Sequence, residues 1–224
     1  SDILKGFKKT KTKSLHIAIE SGNQFIQDKV MKKRLNLDDV KRKVYLLREF
    51  DFWVRAYWVL GMPGETYQTI QDTVNYASEL PVDWHVFHMA TPLIGSEMFK
   101  IAKEQGYIST DNQSNIHYQG ETMNVLQNDG KSIKEIYDNA NIRVNFLENY
   151  NMKHGYYERA IGAFKDVLRN YPFHTVALSC LKNCYQKINS EAKIKVIDKQ
   201  LKIAAKNPEG KKMREQYIAE NTAQ

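Results

Sequence analysis

The sequence predicts an α/β domain with parallel strands, incomplete in itself, followed by a helical extension, and three observations carry that class. Over residues 1–108 strand-like and helix-like segments alternate, the pattern of βα units with parallel strands. An apolar run over residues 53–60 stops at the turn Gly61-Met62-Pro63-Gly64-Glu65-Thr66, after which a helical pattern begins. Beyond Gly155 the periodicity is that of helices alone. The chain therefore reads as an α/β part over 1–108, a loop and connecting helix over 109–155, and a helical extension over 156–224.

The first strand, residues 15–20, places Leu15, Ile17 and Ile19 on one face and His16, Ala18 and Glu20 on the other. Its apolar face suits packing under helices. Glu20 is then left on the inner face at the carboxyl end of its strand, where α/β barrels place ligands. Helical signal follows over residues 24–32. Asn36 reads as the N-cap of the next helix, with Asp38 and Asp39 in its first turn and Val40, Val44 and Leu47 on one stripe.

The second strand, residues 53–60, puts Arg55, Tyr57, Val59 and Gly61 on one face and Trp58 and Leu60 on the other. Gly61, Pro63 and Gly64 let the backbone turn sharply close to a ligand, and the following helix offers free N–H groups. That helix starts near Glu65, carries Ile70, Val74 and Ala77 inward, and is ended by Pro81. The third strand, residues 84–91, precedes a short helix from Ser96 that stops at Gly106. His85 and His88 on this strand read as packed or partner-satisfied core histidines, with a substrate or proton-transfer role as the alternative.

Three parallel strands neither close a barrel nor protect both sheet edges. The α/β part is thus expected to be a portion of a larger domain, and its open edge predicts a homodimer. Residues 109–130 read as a long polar loop, with Asn112, Gln113, His117 and Tyr118 as groups that could border a cavity. A helix then carries Ile133, Ile136, Ala140, Val144 and Leu147 on one stripe.

Composition narrows the class. The chain has 224 residues, 42% hydrophobic, with a net charge of +7. No apolar run approaches the roughly 20 residues that cross a bilayer, and the start shows no signal peptide, so the expectation is a cytoplasmic protein without a membrane partner. The basic groups sit at helix ends and on polar faces while the aromatics sit in apolar-periodic runs, which argues against nucleic acid. Cys180 and Cys184 lie four apart on one helical face; they read as small buried apolar residues, not as a disulfide or a metal site.

The turn at residues 61–66 resembles the Gly-x-Pro-Gly-Glu-Thr turn of radical S-adenosylmethionine (SAM) enzymes. Two neighbours strengthen the likeness: Ile17-Ala18-Ile19-Glu20-Ser21-Gly22 upstream and Ala90-Thr91-Pro92-Leu93-Ile94-Gly95-Ser96 downstream. The fold this resemblance implies is the second half of a radical SAM-type parallel β/α barrel. It also implies SAM as cofactor, with Glu20 and Ser21 at the ribose or methionine portion, Val59, Gly61 and Met62 along the adenine, and Ala90, Thr91 and Pro92 as further adenine contacts. The sequence departs from the pattern at Tyr57, where the family has Gly, and at Ile94 and Ser96, which stand for Pro and Thr.

Family chemistry cleaves SAM reductively at a [4Fe–4S] cluster to give a radical that abstracts hydrogen from a substrate. No Cys-x-x-x-Cys-x-x-Cys occurs in this sequence. The resemblance therefore implies cluster ligands outside this chain, no catalytic or metal-binding residue assignable within it, and no activity of the chain alone. Asn145-Phe146 and Asn149-Tyr150 resemble the cobalamin-binding subgroup, adding cobalamin, held by a domain outside the chain, to the implied cofactors. Residues 157–172 leading into 176–185 resemble a tetratricopeptide helix pair, with a weaker copy over 196–208. The substrate is left open. The alternative is a non-catalytic interaction module, a degenerate half-barrel carrying tetratricopeptide-like helices.

Overall fold

The computed structural model describes residues 2–108 and 123–218, in two compact units, Ser1–Val144 and Asn145–Gln224. Asn112, Gln113, His117 and Tyr118 lie outside the described residues. The first unit is mixed α/β. Helix α1 (Asp2–Lys9) leads into β1 (Ser14–Glu20), a π-helical turn (Ile26–Val30), α2 (Leu37–Glu49), β2 (Trp53–Leu60), α3 (Tyr67–Glu79), β3 (Trp84–Met89), α4 (Glu97–Glu104) and α5 (Ile133–Ile142). The strands form a small open parallel sheet in the order β1-β2-β3.

The core is built on β2, because every second residue of that strand is buried. Val54, Ala56, Trp58 and Leu60 point to the covered face and meet Val44 of α2 and Ile70, Val74 and Ala77 of α3. Each of the large side chains contributes roughly 1.5–3 kcal/mol by leaving water. Trp53, Arg55, Tyr57 and Val59 point the other way and are half-buried. A buried ion pair anchors the amino-terminal end of this layer: Arg48 donates to Asp83 Oδ1 at 3.0 Å, while Asp83 Oδ2 accepts from the Val54 amide at 2.7 Å.

Local signals set most boundaries. Asn36 caps α2 by accepting from the Asp39 amide, and Ser96 caps α4 by accepting from the Phe99 amide. α3 starts at Tyr67, two residues after the expected Glu65, with Thr66 as its N-cap in a reciprocal cap with Thr69. Helical backbone runs over 24–30, within the expected 24–32, with a π turn at Ile26–Val30, and the third strand ends at Met89, two residues early. Helix α1 precedes the first element expected from the sequence. A second π turn, Arg143–Leu147, rotates the end of the stripe begun at Ile133, so that Leu147 is exposed while Val144 stays buried.

The second unit is helical: α6 (Tyr150–Lys153), α7 (Tyr157–Asn170), α8 (Thr175–Lys187), α9 (Glu191–Ala204) and α10 (Pro208–Tyr217). α7 packs on α8, and α8 on α9. Small residues allow the close approach, Ala160 and Ala163 on α7 and Ala177 on α8, all buried. Phe164 and Leu178 fill the space between helices. Cys180 and Cys184 are buried and unbonded, and burial pushes both thiols up to about 12, which leaves them inert.

Candidate functional site

A cavity of about 690 Å³ opens at the carboxyl ends of β1 and β2, with the turn after β2 on one side and α4 on another. Its shape begins with a bulge in β1. Pairing to β2 runs in step from Ser14 to Ala18, then shifts so that Glu20 lies opposite Trp58 and Ile19 is the extra residue. Glu20 takes a left-handed backbone, φ +75°, a conformation a non-glycine residue adopts only when its surroundings impose it. The bulge re-aims the Glu20 side chain, which lines the cavity.

What imposes it is the π turn. Gln27, fully buried, donates from Nε2 to the carbonyls of Ile19 at 2.6 Å and Ser21 at 2.7 Å. Lys33 returns to the same strand end, donating from Nζ to the Ala18 carbonyl at 2.5 Å and lying 3.4 Å from Glu20 Oε1. The chain between them contributes Lys29, Met31 and Lys32 to the cavity wall. Cations thus surround the Glu20 carboxylate on one side.

The opposite wall is largely apolar, with Glu97 and Gln105 as its polar members. Val59 and Met62 come from β2 and its turn, Met98 and Ile101 from α4. The turn is held from inside by Glu65, whose Oε2 accepts from the amides of Gly61 at 2.7 Å and Met62 at 2.8 Å. Oε1 of the same carboxyl is buried without a hydrogen-bond partner among the described residues. Burial raises its pKa from 4.5 to about 7, against the opposing pull of the Met62 and Gly61 amides. Gly61 has φ +86°, and a Cβ there would sit 3.1 Å from Ile133 Cγ2, so the turn needs glycine on both counts.

Of the residues singled out in the sequence, Glu20, Val59 and Met62 meet in this cavity, while Gly61 lies outside its lining and donates its amide to Glu65. Ser21 is fully buried. Its hydroxyl sits 3.1 Å from Thr73 Oγ1 and accepts from the Asn23 amide. Ala90, Thr91 and Pro92 follow β3 and lie outside the cavity lining; the Ala90 amide donates to the Leu60 carbonyl at 2.8 Å. Lys33, Glu65, Met98 and Ile101 were not singled out. Glu65 was legible as a carboxylate directly after a Gly/Pro turn, whereas Lys33 is brought to Glu20 by the π turn alone.

The two histidines of β3 part company. His85 is buried and accepts from Trp58 Nε1 at 3.1 Å; burial pushes its pKa down to about 3, so it is neutral. His88 is exposed rather than packed in the core. It lies in register with Val59 and stacks on Tyr57 at 6.1 Å, and Tyr57 Oη is 3.2 Å from His16 Nδ1. The open face of the sheet therefore carries a row of polar rings next to the cavity.

No family model matches the chain. Over 100 residues it is 30% identical to the cytidylyl-2-hydroxyethylphosphonate methyltransferase of Streptomyces wedmorensis, a stretch covering 42% of this chain and 19% of that protein. Over 104 residues it is 26% identical to the anaerobic magnesium-protoporphyrin IX monomethyl ester cyclase of Cereibacter sphaeroides, covering 46% of this chain and 17% of that protein. The chain matches less than a fifth of the length of either relative. Among the described residues no helix is long and apolar enough to cross a membrane.

Proposed function

We propose that the chain is a portion of a radical SAM enzyme, contributing the second half of the β/α barrel, and that the cavity beside Glu20 holds SAM. The observation that carries this reading is the meeting of Glu20, Val59 and Met62, from two different strand ends, around one cavity beside the Gly-Met-Pro-Gly-Glu-Thr turn. Similarity to a methyltransferase and to a cyclase supports it at the level of the family.

The residues fit such a ligand. Val59, Met62, Met98 and Ile101 offer an apolar slot for a purine, Glu20 offers acceptors to ribose hydroxyls or to the ammonium, and the lysines balance a carboxylate. The [4Fe–4S] cluster does not fit this chain: its two cysteines are buried on α8, and among the described residues no group of three His, Cys, Asp or Glu could hold a metal. Cluster and cobalamin therefore belong, on this reading, to protein outside these residues. SAM bound at such a cluster supplies the radical chemistry; the residues of this chain bind, orient and exclude water.

Equilibrium dialysis of the chain against labelled SAM tests the proposal. Saturable binding is expected, weakened about tenfold or more by Val59→Asp, which places a charge against the purine slot, and reduced by Glu20→Gln. If SAM fails to bind, or binds Val59→Asp as well as the parent, the cavity is not its site. A Cys-x-x-x-Cys-x-x-Cys encoded upstream of residue 1 is the matching expectation at the level of the gene.

A further inference from the structure

We infer that the helical unit docks an acidic amphipathic helix in the groove between α7, α8 and α9. The groove has a volume of about 430 Å³ and is built by none of the elements that line the cavity of the first unit. Its floor is aliphatic: Leu168 from α7, Leu181 from α8, and Val196 and Ile197 from α9. Its rim is cationic, with Lys165 and Arg169 on one side and Lys193 on the other, and among the described residues no acidic side chain lines it.

Three observations select the occupant. Residues 145–224 contain 14 of the 33 Lys and Arg but only 8 of the 26 Asp and Glu, so nearly all of the chain's +7 charge belongs to this unit. A charge asymmetry of that size between halves points to an acidic partner. Next, Lys193, Val196, Gln200 and Ile203 fall at helical spacing along α9. Val196 is 54% exposed and Ile203 is 60% exposed, apolar surface on one stripe of α9 that an amphipathic helix can cover.

The third observation sets peptide against nucleic acid. Aliphatic side chains offer no surface on which a base can stack. Tyr185, the one aromatic ring of the groove, is buried and has Lys193 over it at 5.2 Å. An occupant must therefore bring its own apolar side chains to the floor and carboxylates to the rim. Arg169 is already paired with Asp166 at 2.8 Å, which leaves Lys165 and Lys193 as the principal contacts for the partner.

The test is fluorescence anisotropy on the full chain with three labelled probes: an amphipathic 16-residue helix with Leu on one face and Glu on the other, a poly-Glu of equal charge, and a single-stranded RNA of 16 nucleotides. Saturable binding of the amphipathic helix is expected, with the poly-Glu at least tenfold weaker. Lys165→Glu with Lys193→Glu should weaken the helix about tenfold through lost charge complementarity, and Val196→Asp by a similar factor through the floor. These positions are on the surface, and unchanged circular dichroism confirms that the variants fold. Equal binding of poly-Glu or RNA would make the unit a general polyanion binder and overturn the inference, as would no binding or indifference to both variants. Self-association abolished by Val196→Asp would assign the groove to a second copy and equally refute it.

Discussion

Replacing Glu65 by Gln isolates the cost of keeping a carboxyl under the turn that walls the cavity. Glu65 is 5% exposed, donates nothing when ionised, and has one oxygen without a partner among the described residues. With a pKa of 4.5 unfolded and about 7 folded, the folded state binds the extra proton between those values, so stability falls as pH rises from 4.5 to 7 and is level above. The difference amounts to about 3 kcal/mol at pH 8. Gln keeps an oxygen for the Gly61 and Met62 amides but sets an NH2 where Oε1 now lies, a pH-independent cost of about 1–3 kcal/mol.

His85 slopes the opposite way. Its folded pKa lies near 3 against 6.5, so its contribution is present above 6.5 and is lost as pH falls. In the parent the two effects oppose each other between 4.5 and 6.5, and the raw profile is uninformative. The variant minus the parent is informative, because His85 is common to both. Urea melts followed by tryptophan fluorescence read the first unit alone, since Trp53, Trp58 and Trp84 all lie on β2 and β3. The stability of Glu65→Gln relative to the parent should rise by about 3 kcal/mol from pH 4.5 to 7.5, with unchanged m values. Parallel profiles would refute the reasoning, whatever the offset between them.

Arg48→Met removes the ion-pair partner of the buried Asp83, and should cost the first unit about 3–5 kcal/mol in the same urea melts; a loss below about 1 kcal/mol would refute that. Gly22→Ala would place a Cβ 2.7 Å from Tyr76 Cβ and 2.9 Å from Thr73 Cα, an overpacking cost of about 1–3 kcal/mol visible as a lowered melting temperature. In the second unit, burial lowers the pKa of His174 from 6.5 to about 4, so its contribution is complete above 6.5 and fades on acidification; His174 Nδ1 accepts from the Ala177 amide, and His174→Asn should keep that cap while flattening the acid dependence of amide exchange in α8. Light scattering should find dimers formed through a sheet edge, and a monomer at all concentrations would contradict that expectation.

The sequence made legible whatever was set by neighbours along the chain. Strand β2 runs from Trp53 to Leu60, the bounds of the apolar run before the Gly/Pro turn, and Asn36 and Ser96 cap the helices that follow them. What depended on contacts distant in sequence was not legible. The bulge at Ile19 rests on Gln27, and the approach of Lys33 to Glu20 rests on a π turn that no periodicity announces. His88 has the same residue type and strand as His85, but its face of the sheet is uncovered, so identical chemistry gave opposite burial. Of the cavity, the β2 side was visible in the turn motif, while the α4 wall required the fold.

The clasp on β1 also governs what can be added to the sheet. The carbonyls of Ala18, Ile19 and Ser21 are already occupied by Lys33 and Gln27, so the last third of this outer strand is stoppered by side chains. A neighbouring strand, whether from a second molecule or from the rest of a barrel, finds ready backbone acceptors along residues 14–17 and must end its ladder there. The seam with any added strand is therefore short by construction, and it leaves the mouth beside Glu20 open.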